Sequence, residues 1–353
     1  MLGIDPRAGR AAWTVFLLAL LIAAAYAVRE TLVVFMAALL FAYMLTPLVG
    51  MVERFTPQRV SPRIALAIVY LILVGVIVAL AITLGSRLVD EANSLAERLP
   101  ALLSNRSWIE RIPLPAAFEP VRAGIANAIQ AQLQTSGNGI LPYIGKLGTQ
   151  ILSGAKYVLY LVLIPILAFF FLKDGPEMRD AVVTSLVDES RRPVVDNILE
   201  DVNRLLGEYI RALVLLAISS FIANSLFLGI SSAPYAILLA GTSALGEFIP
   251  VIGPAAAVII VLLVSGLSGY THLLLYVIFW ILYRIFQDYV IAPYLMSRGV
   301  NLNPMLVLFG VLGGEQIAGV AGMFFSVPII ATLRVIFVRL KRAHARELMS
   351  PRT

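Results

Sequence analysis

Eight long apolar runs, separated by short polar or charged stretches, organise this chain. They lie at approximately 12–28, 31–51, 63–86, 150–172, 208–230, 234–266, 270–293 and 304–340. A helix needs roughly 20 mostly apolar residues to cross the hydrocarbon core of a bilayer. The pattern therefore predicts an all-α, polytopic membrane protein with about eight transmembrane segments.

Two of these runs are too long for one straight span and contain helix breakers near their middle. The run 234–266 is interrupted by the segment 247–254, which contains two prolines and a glycine. The run 304–340 is interrupted by the glycine-rich segment 313–322. Non-helical backbone is tolerated at membrane depth only where it is buried in protein or lines a wet cavity. We therefore expect interrupted or re-entrant helices in the C-terminal half.

Two polar segments separate the runs. In residues 87–149, apolar side chains recur at helical spacing on both sides of Pro113 and Pro115, which predicts an external helical hairpin. Residues 173–207 place apolar and charged side chains on different helical faces. This is typical of amphipathic helices that lie on a membrane surface.

The composition supports a membrane protein. Of the 353 residues, 60% are hydrophobic and 14% are charged, and the mean hydropathy is +0.90. The chain has no cysteine, which excludes disulfides, thiolate metal sites and a cysteine nucleophile. The two histidines, His272 and His344, are far apart in the sequence. We expect no metal and no cofactor.

The net charge of +6 is concentrated beside the apolar runs. The residues that set the orientation are Arg7, Arg10, Arg54, Arg59, Arg63 and the basic tail of Arg334, Arg339, Lys341, Arg342 and Arg346. Because lysine and arginine accumulate on the cytoplasmic side, both termini should be cytoplasmic. The basic tail then serves as a topology anchor, and we expect no nucleic-acid partner.

The first apolar run is longer than the core of a usual signal peptide and ends without a cleavage site, so we interpret it as a transmembrane helix. We expect a multi-pass protein of the bacterial inner membrane. The expected organisation is three N-terminal transmembrane helices (1–86), the extracytoplasmic hairpin (87–149), a transmembrane helix (150–172), cytoplasmic amphipathic helices (173–207), a transport core (208–340) and a basic cytoplasmic tail (341–353).

Ionisable residues inside the apolar runs are the candidate functional groups, because burying one at bilayer depth costs roughly 2.5–3.5 kcal/mol on insertion scales. Glu247 adjoins the break formed by Pro250, Gly253 and Pro254. Glu315 adjoins the second break.

Two further charged candidates, Arg284 and Asp288, are one helical turn apart in the seventh run. They could form a local ion pair or take part in transport. No nucleotide-binding or metalloprotease motif occurs in the chain, and we expect no enzyme activity.

The two breaks resemble each other. Gly246-Glu247-Phe248-Ile249 aligns with Gly314-Glu315-Gln316-Ile317, and apolar runs flank both. Four positions are weak evidence for a repeat. Paired interrupted segments are nevertheless the best sequence-level indication of a transporter's binding site.

Several motifs resemble the autoinducer-2 exporter family of bacterial membrane proteins. They are AYMLTPLV at 42–49, FLKDG at 171–175, GEYIRA at 207–212, FIPVIGP at 248–254, VNLNPMLVLFGVLGG at 300–314 and GVAGMFFSVP at 319–328. The resemblance implies an eight-helix permease with interrupted hairpins that forms a homo-oligomer, with a pentamer among the expected sizes. It also makes Asn301 and Asn303 candidate binding residues, although Asn303 stands where the family usually has histidine.

The leading functional hypothesis is a secondary transporter, because the chain contains no ATP-binding motif. Its partners would be the lipid bilayer and a small polar solute, a proton or sodium. The family resemblance implies either export of a solute like autoinducer-2 or sodium/proton antiport. A passive channel, and a membrane scaffold that binds a partner through the external hairpin, are the alternatives.

Overall fold

The protein is all-helical in the computed structural model, which describes residues 6–53, 62–104, 155–189, 191–295 and 303–349. These ranges contain ten α-helices, one π-helical turn and no strand. In chain order they are α1 (Pro6–Ala27), α2 (Arg29–Glu53), α3 (Pro62–Ser104), α4 (Ala155–Leu186), α5 (Arg192–Ile230), α6 (Ala236–Gly246), α7 (Ile252–Leu267), α8 (Leu273–Phe286), the π-helical turn Gln287–Ile291, α9 (Ala292–Leu295) and α10 (Pro304–Met349).

The lengths and composition of these helices fit a membrane. Within the described ranges, five stretches are long and apolar enough to cross one: Arg29–Pro47, Leu66–Arg98, Arg192–Ile230, Leu273–Leu295 and Pro304–Arg342. Shorter apolar helices cover Ala12–Ala27, α6 and α7. Many large apolar side chains of α1 and α3 are exposed, including Trp13 and Leu71, as a lipid-facing surface requires. The predicted fold class is confirmed.

Helices α5 and α8 run antiparallel beside each other. Three side-chain hydrogen bonds join them or the loops at their ends: Tyr270 to Ser231 at 2.6 Å, Tyr276 to Asn224 at 3.1 Å and Tyr283 to Ser219 at 3.1 Å. We call the end of the molecule that carries Ser231 and Tyr270 the loop end. Helix α5 begins at the opposite end.

Helices α6 and α7 form the first hairpin, whose tip is the segment 247–251. The two legs touch through Gly246 and Gly253, where a Cβ on either residue would collide with the backbone of the other. Helix α6 begins and α7 ends at the loop end, because Ser231 before α6 and Tyr270 after α7 are hydrogen-bonded to each other. Helix α6 has 11 residues and is about 16 Å long, roughly half the thickness of a bilayer core. Helix α6 alone is therefore too short to cross a bilayer.

Helix α10 forms the second hairpin. Its helical geometry breaks at Ala318 and Gly319, where Gly319 has φ 59° and ψ −138°. Gly314 packs backbone to backbone against Gly322 across this break, and Gly310 packs against Ser326. Residues at equal distance from the break meet, so the two legs are antiparallel. The second interruption is also a fold-back.

The two hairpins enter from opposite ends. The continuous helical stretch Leu273–Leu295 has 23 residues and carries the chain about 34 Å away from the loop end before α10 begins. Phe248 of the first tip and Phe324 of the second hairpin form an edge-to-face pair with centroids 5.7 Å apart. Near this contact, Leu40, Ile210, Leu213 and Phe325 form an apolar core.

The far end of α10 is held against the start of α5. The guanidinium of Arg339 contacts the carboxylate of Asp201 at 2.6 Å, and Arg204 reaches the same carboxylate at 3.2 Å. We call this end, opposite the loop end, the basic end. The basic tail that the sequence analysis placed in the cytoplasm follows directly from it.

The helices run across several of the expected boundaries. Helix α3 continues beyond residue 86 to Ser104, α4 continues beyond residue 172, and α5 includes residue 207 within one helix. The greater part of the expected hairpin, residues 105–149, lies outside the described residues. Helical continuity does not mark where a membrane ends, so these boundaries remain predictions.

Candidate functional site

Glu247 is the first residue after α6, at the tip of the first hairpin. The tip packs against α5 and α8, and the Glu247 residue is only 9% exposed. A buried carboxylate requires a positive partner or hydrogen bonds to balance the loss of hydration. The helix break therefore places an ionisable group in the interior of the helical bundle.

Arg284 is the positive partner, and it lies at the midpoint of the helical stretch Leu273–Leu295. Its Nη1 atom is 3.5 Å from Oε2 of Glu247. Its Nε atom donates a hydrogen bond of 3.0 Å to Oδ2 of Asp288. One guanidinium therefore faces two carboxylates. Glu247 and the Arg284–Asp288 pair, which the sequence offered as separate candidates, belong to one site.

A small cavity beside Glu247, which we call the Glu247 cavity, has room for about one water molecule. It is lined by Ser220, Asn224, Ser243, Glu247, Pro254, Ala257, Trp280, Tyr283, Arg284 and Gln287. Among the polar groups, Ser220 and Gln287 interact with the carboxylate. Four helices thus converge on one polar pocket inside an otherwise apolar bundle.

Gln287 begins the π-helical turn and is fully buried, with 1% exposure. Its Oε1 atom, and Nη1 of Arg284, have no hydrogen-bond partner among the described residues. Buried polar atoms in proteins are nearly always paired, so this oxygen needs a water molecule or a bound ion in the cavity as its partner. Single π-helical turns are frequent at functional sites, which agrees with this position.

The hairpin tip contains a strained backbone. Val251 has φ 67° and ψ −57°, and the amide of Ile252 donates to the carbonyl of Pro250 at 2.8 Å. This is the rare γ-turn with positive φ, which is unfavourable for a β-branched residue. Pro254 lies in the first turn of α7, where a missing N–H breaks no helical hydrogen bond. The prolines therefore shape the tip without interrupting either helical leg.

Glu315 lies on the first leg of the second hairpin, directly after Gly314. Gly246 and Gly314 both touch a glycine of the opposite leg, so the aligned tetrapeptides occupy comparable places near the two tips. The glutamates that follow differ, because Glu247 is buried and Glu315 is exposed. Glu315 does not line the Glu247 cavity.

The two asparagine candidates are not part of this cavity. Asn303 precedes α10, and its Oδ1 atom accepts a hydrogen bond of 2.9 Å from the amide of Met305. This is the bond of a helix N-cap and gives Asn303 a structural role. Asn301 lies outside the described residues.

Sequence reasoning missed Ser220, Asn224, Ser243, Tyr283 and Gln287. Asn224 and Ser220 are one helical turn apart on α5, and the Asn224 amide donates to the Ser220 carbonyl at 2.9 Å. Polar side chains at this spacing inside an apolar run were the available signal. The sequence alone does not give the rotation of α5 and α8 about their axes, which turns these groups toward Glu247.

The fold and the site together define a class of protein. Two helical hairpins open toward opposite ends of an apolar helical bundle, and the ion pair of Glu247 with Arg284 lies at the tip of the first. Broken helices around a site at mid-depth are the architecture of secondary membrane transporters. The protein is a multi-pass membrane transporter of the permease type.

The chain belongs to the AI-2E family transporter family, whose family model matches residues 15–342. It is 27% identical to YrrI of Bacillus subtilis, a candidate transport protein, over 191 residues. This alignment covers 53% of this chain and 54% of YrrI. It is 20% identical to YueF, a candidate transport protein of the same organism, over 89% of this chain and 88% of YueF. It is 26% identical to the candidate permease PerM of Escherichia coli over 78% of each chain.

Proposed function

We propose that the protein is a secondary transporter coupled to a cation gradient, and that a proton and a monovalent cation compete for Glu247. The observation that carries the proposal is the buried Glu247 carboxylate, with the unpaired Oε1 of Gln287 in the same cavity. Carboxylate, amide and hydroxyl oxygens are suitable ligands for a small alkali cation. In other transporters, unwound helical segments bind such ions through their backbone carbonyls. Sodium is the expected ion.

Arg284 competes with the bound ion for the Glu247 carboxylate. When Glu247 is ionised and empty, the guanidinium 3.5 Å away balances its charge. When a proton or a cation occupies Glu247, Arg284 keeps its 3.0 Å bond to Asp288. The three side chains are then neutral in the loaded state and carry one net negative charge in the empty state, so the loaded site is less costly to move through a low-dielectric region.

The size of the cavity favours an ion as its occupant. A space for about one water molecule accepts a dehydrated cation or a proton but not an organic solute. Sodium/proton antiport is therefore the preferred activity. Export of a small polar solute such as autoinducer-2, driven by the same ion, is the second candidate. It is supported by the family description, and it requires a wider state of the site.

Flux into proteoliposomes tests the proposal. Purified protein is reconstituted, and proton movement is followed while a sodium gradient is imposed, with empty liposomes as the control. Saturable proton movement in the direction opposite to sodium supports the antiporter. Conductance that does not saturate indicates a channel instead, and no response to any ion or polar solute leaves a scaffold role.

The same proposal includes a bacterial inner-membrane location with both termini in the cytoplasm. The basic end then faces inward and the loop end outward, which the arginine distribution supports. Single cysteines at Ser104→Cys and Ser350→Cys can be labelled from outside intact cells, because the chain has no other cysteine. Labelling at position 350 but not at position 104 would reverse the orientation.

A homo-oligomer, with a pentamer as one expected size, completes the proposal. Helix α3 carries small residues at Gly75 and Gly85, where a Cβ would meet nothing within 4 Å in one chain. Its outer face is apolar and exposed, so a second chain could approach closely there. A mass equal to one chain, both in mild detergent and in nanodiscs, would rule this out.

A further inference from the structure

The Glu247 cavity is closed toward the loop end by one hydrogen-bonded pair. The hydroxyl of Tyr276 donates to Oδ1 of Asn224 at 3.1 Å, and both residues are about 1% exposed. The Asn224 amide also donates to the Ser220 carbonyl at 2.9 Å, so Asn224 is held from two sides. This pair separates the carboxylate from the loops at Ser231 and Tyr270.

An apolar and aromatic cluster lies on the far side of the pair. Phe227 and Phe279 stack with centroids 4.2 Å apart, and Tyr276 lies 5.8 Å from the ring of Phe227. Leu228 and Val261 belong to the same cluster and are fully buried. Toward the loop end the cavity is thus bounded first by this polar pair and then by a mainly apolar layer.

The charged groups near the opposite side of the cavity are less buried. The side chain of Arg284 is 29% exposed and that of Asp288 is 47% exposed. The cavity is therefore asymmetric, with the partly exposed Arg284 on one side and the buried Tyr276–Asn224 pair on the other. A carrier in one of its two access states has this arrangement.

We propose that the Tyr276–Asn224 hydrogen bond is the closed gate of the Glu247 cavity toward the loop end, and that ions cross it between the cavity and that surface. A hydroxyl and an amide suit this role, because their oxygens can bind a passing cation when their mutual bond opens. A purely apolar seal offers no such partner. This inference rests on the proposed ion-coupled function.

Side-specific cysteine labelling tests the gate. Ser243→Cys places a reporter thiol in the cavity of a chain that has no other cysteine. A membrane-impermeant thiol reagent is applied to one face of reconstituted vesicles at a time, and the labelling rate is measured. The gate variant is Tyr276→Phe, which keeps the ring and removes the donor. The matched control is Tyr289→Phe, whose side chain on the same helical stretch is 78% exposed.

The expected result is faster labelling from the loop face only, by about fivefold, because losing one hydrogen bond of ~1 kcal/mol shifts the open population by that factor. The rate from the basic face, and both rates in Tyr289→Phe, should stay at the parent value. An unchanged rate from the loop face, or an equal increase from both faces, overturns the proposal. Asn224→Ser, which removes the acceptor and leaves Tyr276 intact, must give the same asymmetry and replaces Tyr276→Phe if that variant does not fold.

The outcome is separable from that of the proposed function. Glu247→Gln should abolish coupling without changing the loop-face labelling rate, because it leaves the Tyr276–Asn224 bond in place. If coupling survives in Glu247→Gln while Tyr276→Phe still gives the asymmetric increase, the gate stands and the ion site is elsewhere. If coupling is lost and the asymmetry is absent, the site stands and the gate is wrong.

Discussion

Arg284 and Glu247 are brought within 3.5 Å of each other although they are far apart in the sequence and belong to different helices. The contact lacks the geometry of a hydrogen bond, since Nη1 of Arg284 has no such partner among the described residues. The same guanidinium is hydrogen-bonded to Asp288. Arg284 thus binds Glu247 less tightly than it binds Asp288. A carboxylate that exchanges its arginine partner for a proton or a cation needs such a weak contact.

Removing Arg284 and removing Asp288 should change the sodium affinity of Glu247 in opposite directions. In Arg284→Gln no arginine competes with sodium for Glu247, so the sodium concentration that gives half-maximal flux should fall about threefold or more. In Asp288→Asn the guanidinium has only Glu247 left as a partner, so half-saturation should rise. Sodium-dependent flux in proteoliposomes measures both, with Arg179→Gln as a control because its ion pairs lie away from the cavity. Changes of the same sign in the two variants would contradict the competition.

The second hairpin should depend on the absence of a side chain at Gly322. A Cβ there would collide with the carbonyl of Gly314, so Gly322→Ala should destabilise the protein by about 2 kcal/mol. Gly313→Ala is the matched control, because nothing lies within 4 Å of its added Cβ and alanine favours a helix. Thermal unfolding in detergent, followed by tryptophan fluorescence, compares them. Equal melting temperatures would mean that the legs do not pack this closely.

Val251 should be a source of strain at the first tip. Glycine tolerates φ 67° without steric penalty, so Val251→Gly should stabilise the folded protein by about 1 kcal/mol. Val251→Ala keeps the strain while shortening a side chain that is already 61% exposed, and it should leave the melting temperature nearly unchanged. The idea fails if the glycine variant melts no higher than the alanine variant.

Glu91 of α3 should anchor the first hairpin at the loop end. Its carboxylate accepts a 2.8 Å hydrogen bond from the amide of Leu238, in the first turn of α6, where Tyr235 provides no side-chain cap. Losing such a cap costs about 0.5–2 kcal/mol, so Glu91→Ala should speed amide exchange in this turn about 2- to 30-fold. Hydrogen–deuterium exchange with mass spectrometry measures this. Glu97→Ala changes an exposed residue on the same helix and should not alter exchange in α6. A similar increase in this variant would show that Glu91 is not the anchor.

The sequence predicted the helices and the breaks well because both depend on local properties. Continuous apolar runs indicate helices long enough to cross a membrane. The proline and glycine clusters at 247–254 and 313–322 indicate where a helix cannot continue. Even the aligned tetrapeptides at Gly246 and Gly314 mark real close approaches of two helical legs. The sequence did not reveal which legs fold back, because that depends on contacts such as Tyr270 with Ser231.

The composition of the site was less predictable. The similar surroundings of Glu247 and Glu315 in the sequence suggested similar roles, yet packing buries one and exposes the other. Gln287 lies on the same helical face as Tyr283 and Arg284, but the sequence alone does not show that this face turns toward Glu247. Such relations between distant helices follow from tertiary packing, which no local pattern encodes.

The most direct test of the account is proton movement driven by a sodium gradient in proteoliposomes that contain Glu247→Gln, compared with Glu315→Gln. The glutamine preserves the shape of the tip but cannot exchange a proton for a cation. Glu247→Gln is therefore predicted to insert normally and to lose both sodium-driven proton movement and the pH dependence of flux. Glu315→Gln should show a smaller effect because its carboxylate is exposed. Wild-type coupling in Glu247→Gln would contradict the central claim.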